Sequence, residues 1–327
     1  MRWRASITGM LALSMMLSVC ACKRSVNWNV DCDAAQSMIF QTGFNNCAIY
    51  EKTKSQDVIR GMDTAFNDFN DWAMLDHHTN IGTCTISYED GDASQRYAAI
   101  TADPADPANT VLLFKIIEPH IREGYHKKGR VQINLNDNQC IKAYYQTVRL
   151  YLHPDMASLK QYAEKISWLS LFEFWNNANF SGERNPFRVT VNLVKTQDGP
   201  VENMYFKVKG ERDIRLGGWD ALWQETATGF PVPFGAWMEI ELYIQEGDGD
   251  TGRFYFAVTP QGSPKQVLFD ITNATQHPRE RYPDGYTHMN PLKLYTDDKL
   301  IQFMKDNGKN LEVYWDDWTF YRSTKPF

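Results

Sequence analysis

The chain of 327 residues lacks most of the features that assign a protein to a class at once. It has no run of lysine and arginine, and 40 acidic residues outnumber 34 basic ones, so binding along nucleic-acid phosphates is not predicted. Its six cysteines form no Cys-x-x-Cys pairs, which argues against a zinc site. It has no internal repeat, no low-complexity linker and, beyond the N-terminus, no segment apolar enough to span a bilayer.

The chain is instead rich in residues that build a core. Apolar residues make up 43% of it and aromatic residues 13%. A chain of this length and composition buries a sizeable core, and it fits one large β domain or two small domains. Disordered and fibrous classes are thereby excluded.

The N-terminus has the organisation of an export signal. Two arginines precede an apolar stretch at 7–19, which has the length of a signal's hydrophobic region and is short for a membrane span. The letters LSVCAC that follow resemble a bacterial lipobox and favour Cys22 as the lipidated residue, with Cys20 as the other register. We therefore expect an exported lipoprotein of the bacterial cell envelope, anchored by lipid to a membrane on the periplasmic or outer-membrane side. An ordinary cleaved signal with incidental cysteines is the alternative interpretation.

Four cysteines remain in the mature chain, namely Cys32, Cys47, Cys84 and Cys140. In an oxidising compartment they predict up to two disulfides. A disulfide between Cys32 and Cys47 would close a short N-terminal loop that is easy to form, while the full connectivity stays open.

Short segments of alternating apolar and polar residues, separated by turn residues, fill most of the mature sequence. This pattern is typical of antiparallel strands that cover a core with one face, and it predicts an all-β sandwich. Two short helices are expected over 154–167 and 297–308, and the Gly- and Asp-rich link at 245–254 is expected to be a hairpin turn rather than a calcium loop. The clearest strand segments are RVQINLN, YQTVRLYLH, WLSLFEFWN, FRVTVNLVK, MYFKVKG, WMEIELYIQ, RFYFAVT, NPLKLYT and LEVYWDDWTFY.

Several of these strands carry a row of basic and aromatic side chains on one face. Strand alternation predicts three such rows. Aromatic rings stack on sugars and arginine pairs with carboxylates, so such rows are suited to bind an anionic glycan. The other interpretation is that each row is simply the solvated face of a sheet. The rows are Thr147, Arg149, Tyr151 and His153; Arg188, Thr190 and Asn192; and Tyr205, Lys207 and Lys209.

The segment WLSLFEFWN places a carboxylate beside a large aromatic on a strand that is apolar on both faces. Alternation puts Leu171, Glu173, Trp175 and Asn177 on one face of it. A buried Glu is costly unless it is paired, and a functional site is one common reason to keep it. A structural ion pair with an arginine from one of the rows is the other.

A resemblance to a known superfold rests on the second half of the chain. The segment FGAWMEIELYIQ, the Gly-rich hairpin, NPLKLYT and VYWDDWTFY together resemble concanavalin A-like jelly rolls. The resemblance implies a two-sheet antiparallel jelly-roll sandwich with a few short helices, whose concave face holds an oligosaccharide. Together with the N-terminal signal, it predicts three parts: a signal peptide at 1–22, an N-terminal segment at 23–60 that leads into the sandwich, and the jelly roll at 61–327.

Within that superfold the chain is most similar to the jelly-roll polysaccharide lyases. Their pattern has an Arg-bearing strand, matched by TVRLYLH, a Gln-x-His strand, which falls on FEFWN, and a late strand with Lys and Tyr, matched by Lys293 and Tyr295. The chain departs from the pattern because Glu173 and Trp175 stand where those lyases have Gln and His. This departure puts the catalytic base in doubt.

The resemblance implies β-elimination on a uronate-containing glycan, a reaction that in principle needs no metal or cofactor. Arg149 or Asn177 would neutralise the uronate carboxylate, Tyr295 would serve as base and acid, and His153 would replace the missing base. The expected substrate-binding residues are Tyr151, Glu173, Trp175, Arg188, Lys207 and Lys293. Two alternatives stay open. One is glycoside hydrolysis, with Glu173 paired with Glu239 or Glu241, and the other is a lipoprotein that binds glycan without cleaving it.

Overall fold

The computed structural model describes residues 37–88, 95–119, 128–176, 187–214, 218–280 and 285–322. Its helices are α1 (Trp72–Asp76), α2 (Asp298–Asp306) and a 3-10 helix at Pro154–Gln161. Its strands are β1 (Ser37–Thr42), β2 (Cys47–Thr53), β3 (Gln56–Gly61), β4 (Thr83–Tyr88), β5 (Arg96–Ala102), β6 (Thr110–Ile116), β7 (Lys128–Asn136), β8 (Ala143–Leu152), β9 (Ser170–Asn176), β10 (Phe187–Val194), β11 (Tyr205–Ile214), β12 (Gly218–Thr226), β13 (Trp237–Gln245), β14 (Arg253–Pro260), β15 (Gln266–Thr272), β16 (Tyr286–Asn290), β17 (Lys293–Asp297) and β18 (Leu311–Arg322).

The strands form two antiparallel sheets packed face to face. The first sheet has the order β15-β14-β13-β8-β18-β6-β5, with β1 also paired to β18. The second sheet has the order β12-β11-β10-β9-β16-β7-β4-β3-β2, and β17 pairs with β7 and β9. Long-range pairs such as β8 with β18 and β7 with β17 bring distant parts of the chain together. The predicted all-β jelly-roll sandwich with few helices is confirmed.

The core lies between the sheets and fixes which way each strand faces. Phe172 of the second sheet packs against Phe256 and Trp315 of the first, with ring centroids 5.9 Å and 5.5 Å apart. Val148 and Leu150 of β8 are fully buried in the same core. Because side chains alternate along a strand, the residues next to these point out of the sandwich. The polar row of β8 and the Glu173 row of β9 therefore face opposite sides of the molecule.

Two expectations about the N-terminal region change. Strands β1 to β3 already belong to the two sheets, so residues 37–60, which were assigned to a segment leading into the sandwich, are part of it. Cys47 and Cys84 are free thiols, so the expected Cys32–Cys47 disulfide is wrong. Burial raises the pKa of the Cys47 thiol to about 11. The predicted lipidation sites Cys20 and Cys22 lie outside the described residues.

The connecting elements follow the local sequence signals. Helix α2 starts where the Asp297 carboxylate accepts a hydrogen bond from the Leu300 amide, and Gly308 follows its end with a positive φ of 64°. The link after β13 is a hairpin in which Asp248 accepts hydrogen bonds from the amides of Asp250 and Thr251. In the described part of the chain, none of the helices has the length and apolar character needed to cross a membrane.

Candidate functional site

The row on β8 lies on the outer face of the first sheet, where its side chains contact residues of the neighbouring strands β13 and β18. Arg149 forms an ion pair with the buried Asp316, with Nη1 3.1 Å from Oδ2, and its guanidinium lies 4.6 Å from the ring centroid of Trp237. Tyr151 packs between Trp237 and Tyr314, with ring centroids 5.5 Å and 5.7 Å away. This row is occupied by contacts within the sheet.

His153 has a structural role at the end of the same strand. It is the N-cap of the 3-10 helix, and its Nδ1 accepts a hydrogen bond from the Asp155 amide at 3.2 Å. Its ring also stacks near Tyr314, with centroids 6.5 Å apart. His153 thus follows a strand of the first sheet, and its Nδ1 is engaged by a backbone amide.

The outer face of the second sheet is organised around a buried ion pair. Glu173 is 2% exposed and Lys293 is fully buried, and their charged groups are in direct contact. Arg188 binds the other oxygen of Glu173, with Nη1 2.9 Å from Oε1. Two cations thus share one carboxylate beneath the surface of the sheet, as the structural interpretation of Glu173 predicted.

These contacts set the protonation of the pair. Burial by itself would raise the pKa of Glu173, but the charges of Lys293 and Arg188 outweigh burial and lower that pKa to about 2. Burial lowers the pKa of Lys293 to about 8, even though Glu173 acts in the opposite direction. Glu173 therefore stays ionised at neutral pH and has no proton to give as a general acid.

Arg188 is fully engaged by its own surroundings. Its Nη2 lies 2.9 Å from Oε2 of Glu211, which is a second ion pair in addition to that with Glu173. The guanidinium stacks on Trp219, 3.8 Å from the ring centroid, and lies 5.3 Å from that of Trp175. Arg188 therefore holds the aromatic side of the site in place and is not available to pair with a substrate carboxylate.

A β-bulge in β9 changes which residues reach this face. Val191 pairs with Phe172, and Asn192 pairs with Ser170, so Leu171 is an extra residue that turns into the core. Ser170 instead joins the outer face, where its hydroxyl donates to Oδ1 of Asn192 at 2.7 Å. The strict alternation that placed Leu171 beside Glu173 is wrong at this position.

Tyr295 stands beside these polar groups in a ring of positive charge. The distances from its ring centroid are 4.8 Å to Nζ of Lys293, 5.3 Å to Nζ of Lys128 and 5.6 Å to the guanidinium of Arg130. Trp168 packs on it, with ring centroids 4.8 Å apart. Positive charge around a phenol stabilises negative charge that forms nearby.

These side chains line a groove of about 540 Å³ on the outer face of the second sheet. Aromatic side chains stand at both of its sides, and its floor is polar. The groove is lined by Trp168, Tyr295 and Trp219, by Lys128, Lys209 and Arg188, by Ser170, Thr190 and Asn192, and by Glu211, Asp297 and Asp298.

Two lysines of β11 extend the basic character of this face. Phe206 and Val208 are buried in the core, so Lys207 and Lys209 point outward. Nζ of Lys209 lies 3.4 Å from Glu211, whereas no hydrogen bond or ion pair joins Lys207 to any described residue. Lys207 is therefore a partly exposed cation on this face.

The structure thus divides the predicted site residues into two groups. Glu173, Trp175, Arg188, Lys207, Lys293 and Tyr295 share the outer face of the second sheet. Arg149, Tyr151 and His153 lie on the first sheet, and the expected convergence of Arg149 with Glu173 and Tyr295 is not observed. Asn177 lies outside the described residues. Among the described residues, no three His, Cys, Asp or Glu side chains are arranged to hold a metal ion.

Several residues of this face were not predicted. Lys128 lies two residues before Arg130, the first residue of RVQINLN, so strand alternation places both on the same face, and the sequence alone could have shown this. Trp219 lies in a segment without a clear strand pattern, whereas Trp168 begins WLSLFEFWN, where strict alternation places it on the face of Phe172 and not on that of Glu173. His288 of β16 lies opposite Trp175 in the strand register, and its Nε2 is 3.0 Å from Nδ2 of Asn290. The strand β16 has five residues, too few to show a period.

Comparisons with known proteins give no family. No family model matches the chain, and no curated protein matches its sequence. Similar solved structures include the alginate lyase Aly36B, at 12% identity and a TM-score of 0.43 over 73% of this chain and 87% of that one. A glucuronan lyase from the fungus Trichoderma reesei has 13% identity and a TM-score of 0.43 over 72% and 94%. The exoplasmic domain of VIP36 in a mannose-bound form has 10% identity and a TM-score of 0.37 over 74% and 84%. Likeness of this extent carries no argument about activity.

Proposed function

We propose that the protein binds an anionic, uronate-containing glycan in the groove of the second sheet and cleaves it by β-elimination. The observation that carries this proposal is Tyr295, a phenol that lines the groove with three cations within 6 Å of its ring. The aromatic side chains at both sides of the groove supply stacking surfaces for sugar rings.

Elimination requires two proton transfers, the breaking of the C4–O bond and the formation of a C4=C5 double bond. A base removes the proton at C5 of the uronate, and the electrons of that C–H bond form the C4=C5 double bond. The C4–O bond breaks, and the departing oxygen takes up a proton. Tyr295 performs both transfers in this proposal, first accepting the C5 proton as phenolate and then returning it to the leaving oxygen.

The charge that develops on the uronate during elimination needs a cation close to Tyr295. Arg149 lies on the other sheet and Lys293 is fully buried, so neither lines the groove. Lys128 lines the groove and is adjacent to the Tyr295 ring. We assign to Lys128 the neutralising role that the sequence pattern assigned to Arg149.

Incubation with a panel of uronate polysaccharides tests this proposal. Elimination creates an unsaturated uronate that absorbs in the ultraviolet, so absorbance should rise with at least one substrate. Tyr295→Phe should slow the rise by about 10²- to 10⁴-fold, which is the usual contribution of a general acid–base group. Tyr151→Phe is the matched control because it removes a phenol from the first sheet, and it should leave the rate unchanged. Equal rates for the two variants would exclude Tyr295 as the proton-transfer group.

The second candidate is glycan binding without cleavage, and one observation favours it. Glu173 and Glu211 together offset the charges of Lys293 and Arg188, so less positive charge remains to stabilise the reacting carboxylate. Retained binding of uronate oligosaccharides with no absorbance on any of them would establish this function instead.

The glycoside hydrolase alternative requires Glu173 to pair with Glu239 or Glu241, and the fold keeps these carboxylates apart. Glu173 is ionised and bound by two cations. Glu239 and Glu241 lie on β13 of the first sheet, where Glu241 binds Lys265 at 3.0 Å. The pairing of Glu173 with either of them, which the hydrolase alternative requires, is not present.

We also propose that the protein is exported and anchored to a membrane of the cell envelope through lipid on Cys22. The support for this is the N-terminal sequence alone, with its apolar stretch at 7–19 and lipobox-like LSVCAC. The mass of the N-terminal peptide of protein purified from membranes tests it. A peptide that begins at Cys22 with added acyl groups is expected, and an unmodified N-terminus at another residue would refute the proposal.

A further inference from the structure

A row of side chains crosses four neighbouring strands of the second sheet. In the strand registers, Tyr295 of β17 lies opposite Ser170 of β9, Ser170 lies opposite Asn192 of β10, and Asn192 lies opposite Lys207 of β11. All four belong to the outer face. A chain bound across the strands would therefore pass Tyr295, Ser170 and Asn192 before it reaches Lys207.

The register also gives the length of this row. Three strand spacings separate Tyr295 from Lys207, and at about 4.8 Å each they place the two backbone positions roughly 14 Å apart. That distance exceeds the length of one sugar residue. A charge bound at Lys207 thus belongs to a different residue of the glycan from the one that reacts at Tyr295.

The surroundings of Lys207 suit an anion. Lys209 lies two residues along on the same face, and neither hydrogen bond nor ion pair connects Lys207 to the part of the chain that the structure describes. Burial, and then the charge of Lys209, lower the pKa of Lys207. Lys209 is paired with Glu211 at 3.4 Å, so Lys207 is the lysine of the two that has no ion-pair partner among the described residues.

We propose that Lys207, assisted by Lys209, forms a second anion subsite that binds the carboxylate of a uronate residue at least two residues away from the one cleaved at Tyr295. This inference rests on the proposed function and narrows its substrate. The ligand is a chain with carboxylates on successive residues, lying across the strands, and not a neutral glycan with an isolated uronate.

Calorimetric titration with uronate oligosaccharides of defined length tests the subsite. The Tyr295→Phe background prevents consumption of the ligand. In that background Lys207→Met should weaken tetrasaccharide binding about tenfold, the usual loss of one charge-assisted contact, and should change disaccharide binding less than about twofold. A tetrasaccharide with its carboxylates reduced to alcohols should bind both proteins equally weakly.

Two further variants control for net charge and for folding. Lys265→Met removes a lysine from the first sheet and should leave every affinity unchanged. Lys207→Arg keeps the charge and should keep most of the tetrasaccharide affinity. If it does, the loss of affinity in Lys207→Met comes from the missing charge and not from altered packing.

The outcomes separate the subsite from the proposed function. Binding of both oligosaccharides with no difference between Lys207→Met and Lys265→Met overturns the subsite and leaves the proposed function standing. Equal weakening of the disaccharide and the tetrasaccharide by Lys207→Met overturns the remote position of the subsite. Failure of the background protein to bind any uronate oligosaccharide overturns both proposals.

Discussion

The polar row of β8 and the polar face around Glu173 show the same alternation, yet they end in different surroundings. On the first sheet, Arg149 pairs with Asp316 and stacks on Trp237, so the row is filled by its own neighbours. On the second sheet, an ion pair is sunk below the surface and a groove of about 540 Å³ opens above it. The same alternation of polar and apolar residues thus gives a face filled by its own contacts on the first sheet and a face with an open groove on the second.

The two faces also differ in the direction in which the pKa of a buried carboxyl group is shifted. Glu173 has two cations in contact, and its pKa falls to about 2. Burial and the neighbouring Asp317 raise the pKa of Asp316 to about 6, although Arg149 acts against this shift. One arginine at the edge of solvent does not compensate for burial, whereas a buried lysine together with an arginine does.

The largest expected effect comes from breaking the buried pair of the second sheet. Glu173→Gln leaves the charge of Lys293 buried without its carboxylate, and the free energy of unfolding should fall by about 3–5 kcal/mol in urea denaturation. Glu241→Gln, which breaks the half-exposed pair with Lys265, should cost less than about 1 kcal/mol.

A double variant separates the pair itself from the cost of an orphaned charge. Glu173→Leu combined with Lys293→Met should recover most of the stability lost in Glu173→Gln, because no unpaired charge remains buried. If the double variant is as unstable as Glu173→Gln, the loss of stability arises from packing or from Arg188. It does not then arise from the unpaired charge of the buried Lys293.

A smaller effect is expected from pH, with opposite signs on the two sheets. Folded Asp316, with a pKa of about 6 against an ordinary 3.8, binds its proton more tightly than the unfolded chain does, so its contribution to stability grows as pH falls from 7 to 4. Glu173, with a pKa of about 2 against 4.5, contributes stability that is lost as pH falls below about 4.5. Each pKa unit corresponds to about 1.4 kcal/mol, and solvent screening limits the Asp316 contribution to about 2 kcal/mol.

Denaturation of the wild type and of Asp316→Asn between pH 7 and 4 measures that contribution. The difference in unfolding free energy between the two proteins should shift by about 2 kcal/mol in favour of the wild type as pH falls. A difference that stays constant over this range would mean that Asp316 is ionised throughout, and that Arg149 outweighs its burial.

The smallest expected effect is on glycan binding, from the first sheet. Arg149→Met removes the cation that the sequence pattern placed in the site, yet its side chain faces away from the groove, so affinity for uronate oligosaccharides should change less than about twofold. Calorimetric titration beside Lys207→Met gives the comparison. A tenfold loss from Arg149→Met would place the glycan on the first sheet and reverse the assignment of the two faces.

Much of the fold followed from alternation within single strands. The segments NPLKLYT and FRVTVNLVK are strands, and Lys293, Tyr295 and Arg188 face the side their spacing predicted. The site was predicted less well because it depends on which strands become neighbours. Glu173 meets Lys293 across 120 residues of sequence, and no local pattern specifies that contact. The bulge at Leu171 shifts the face of one residue in a way that alternation does not reveal.

The sequence by itself determined that this chain is an antiparallel β sandwich with basic and aromatic rows on its outer faces, because side-chain direction along a strand is a local property with a period of two. It also determined the hairpin after β13 and the cap of α2, which depend on residues a few positions apart. Only the tertiary structure decided that the row of Arg149 and the row of Glu173 lie on opposite sides. Strand order depends on how the whole core packs, and burial and ion pairing then decide which charges are left for a ligand.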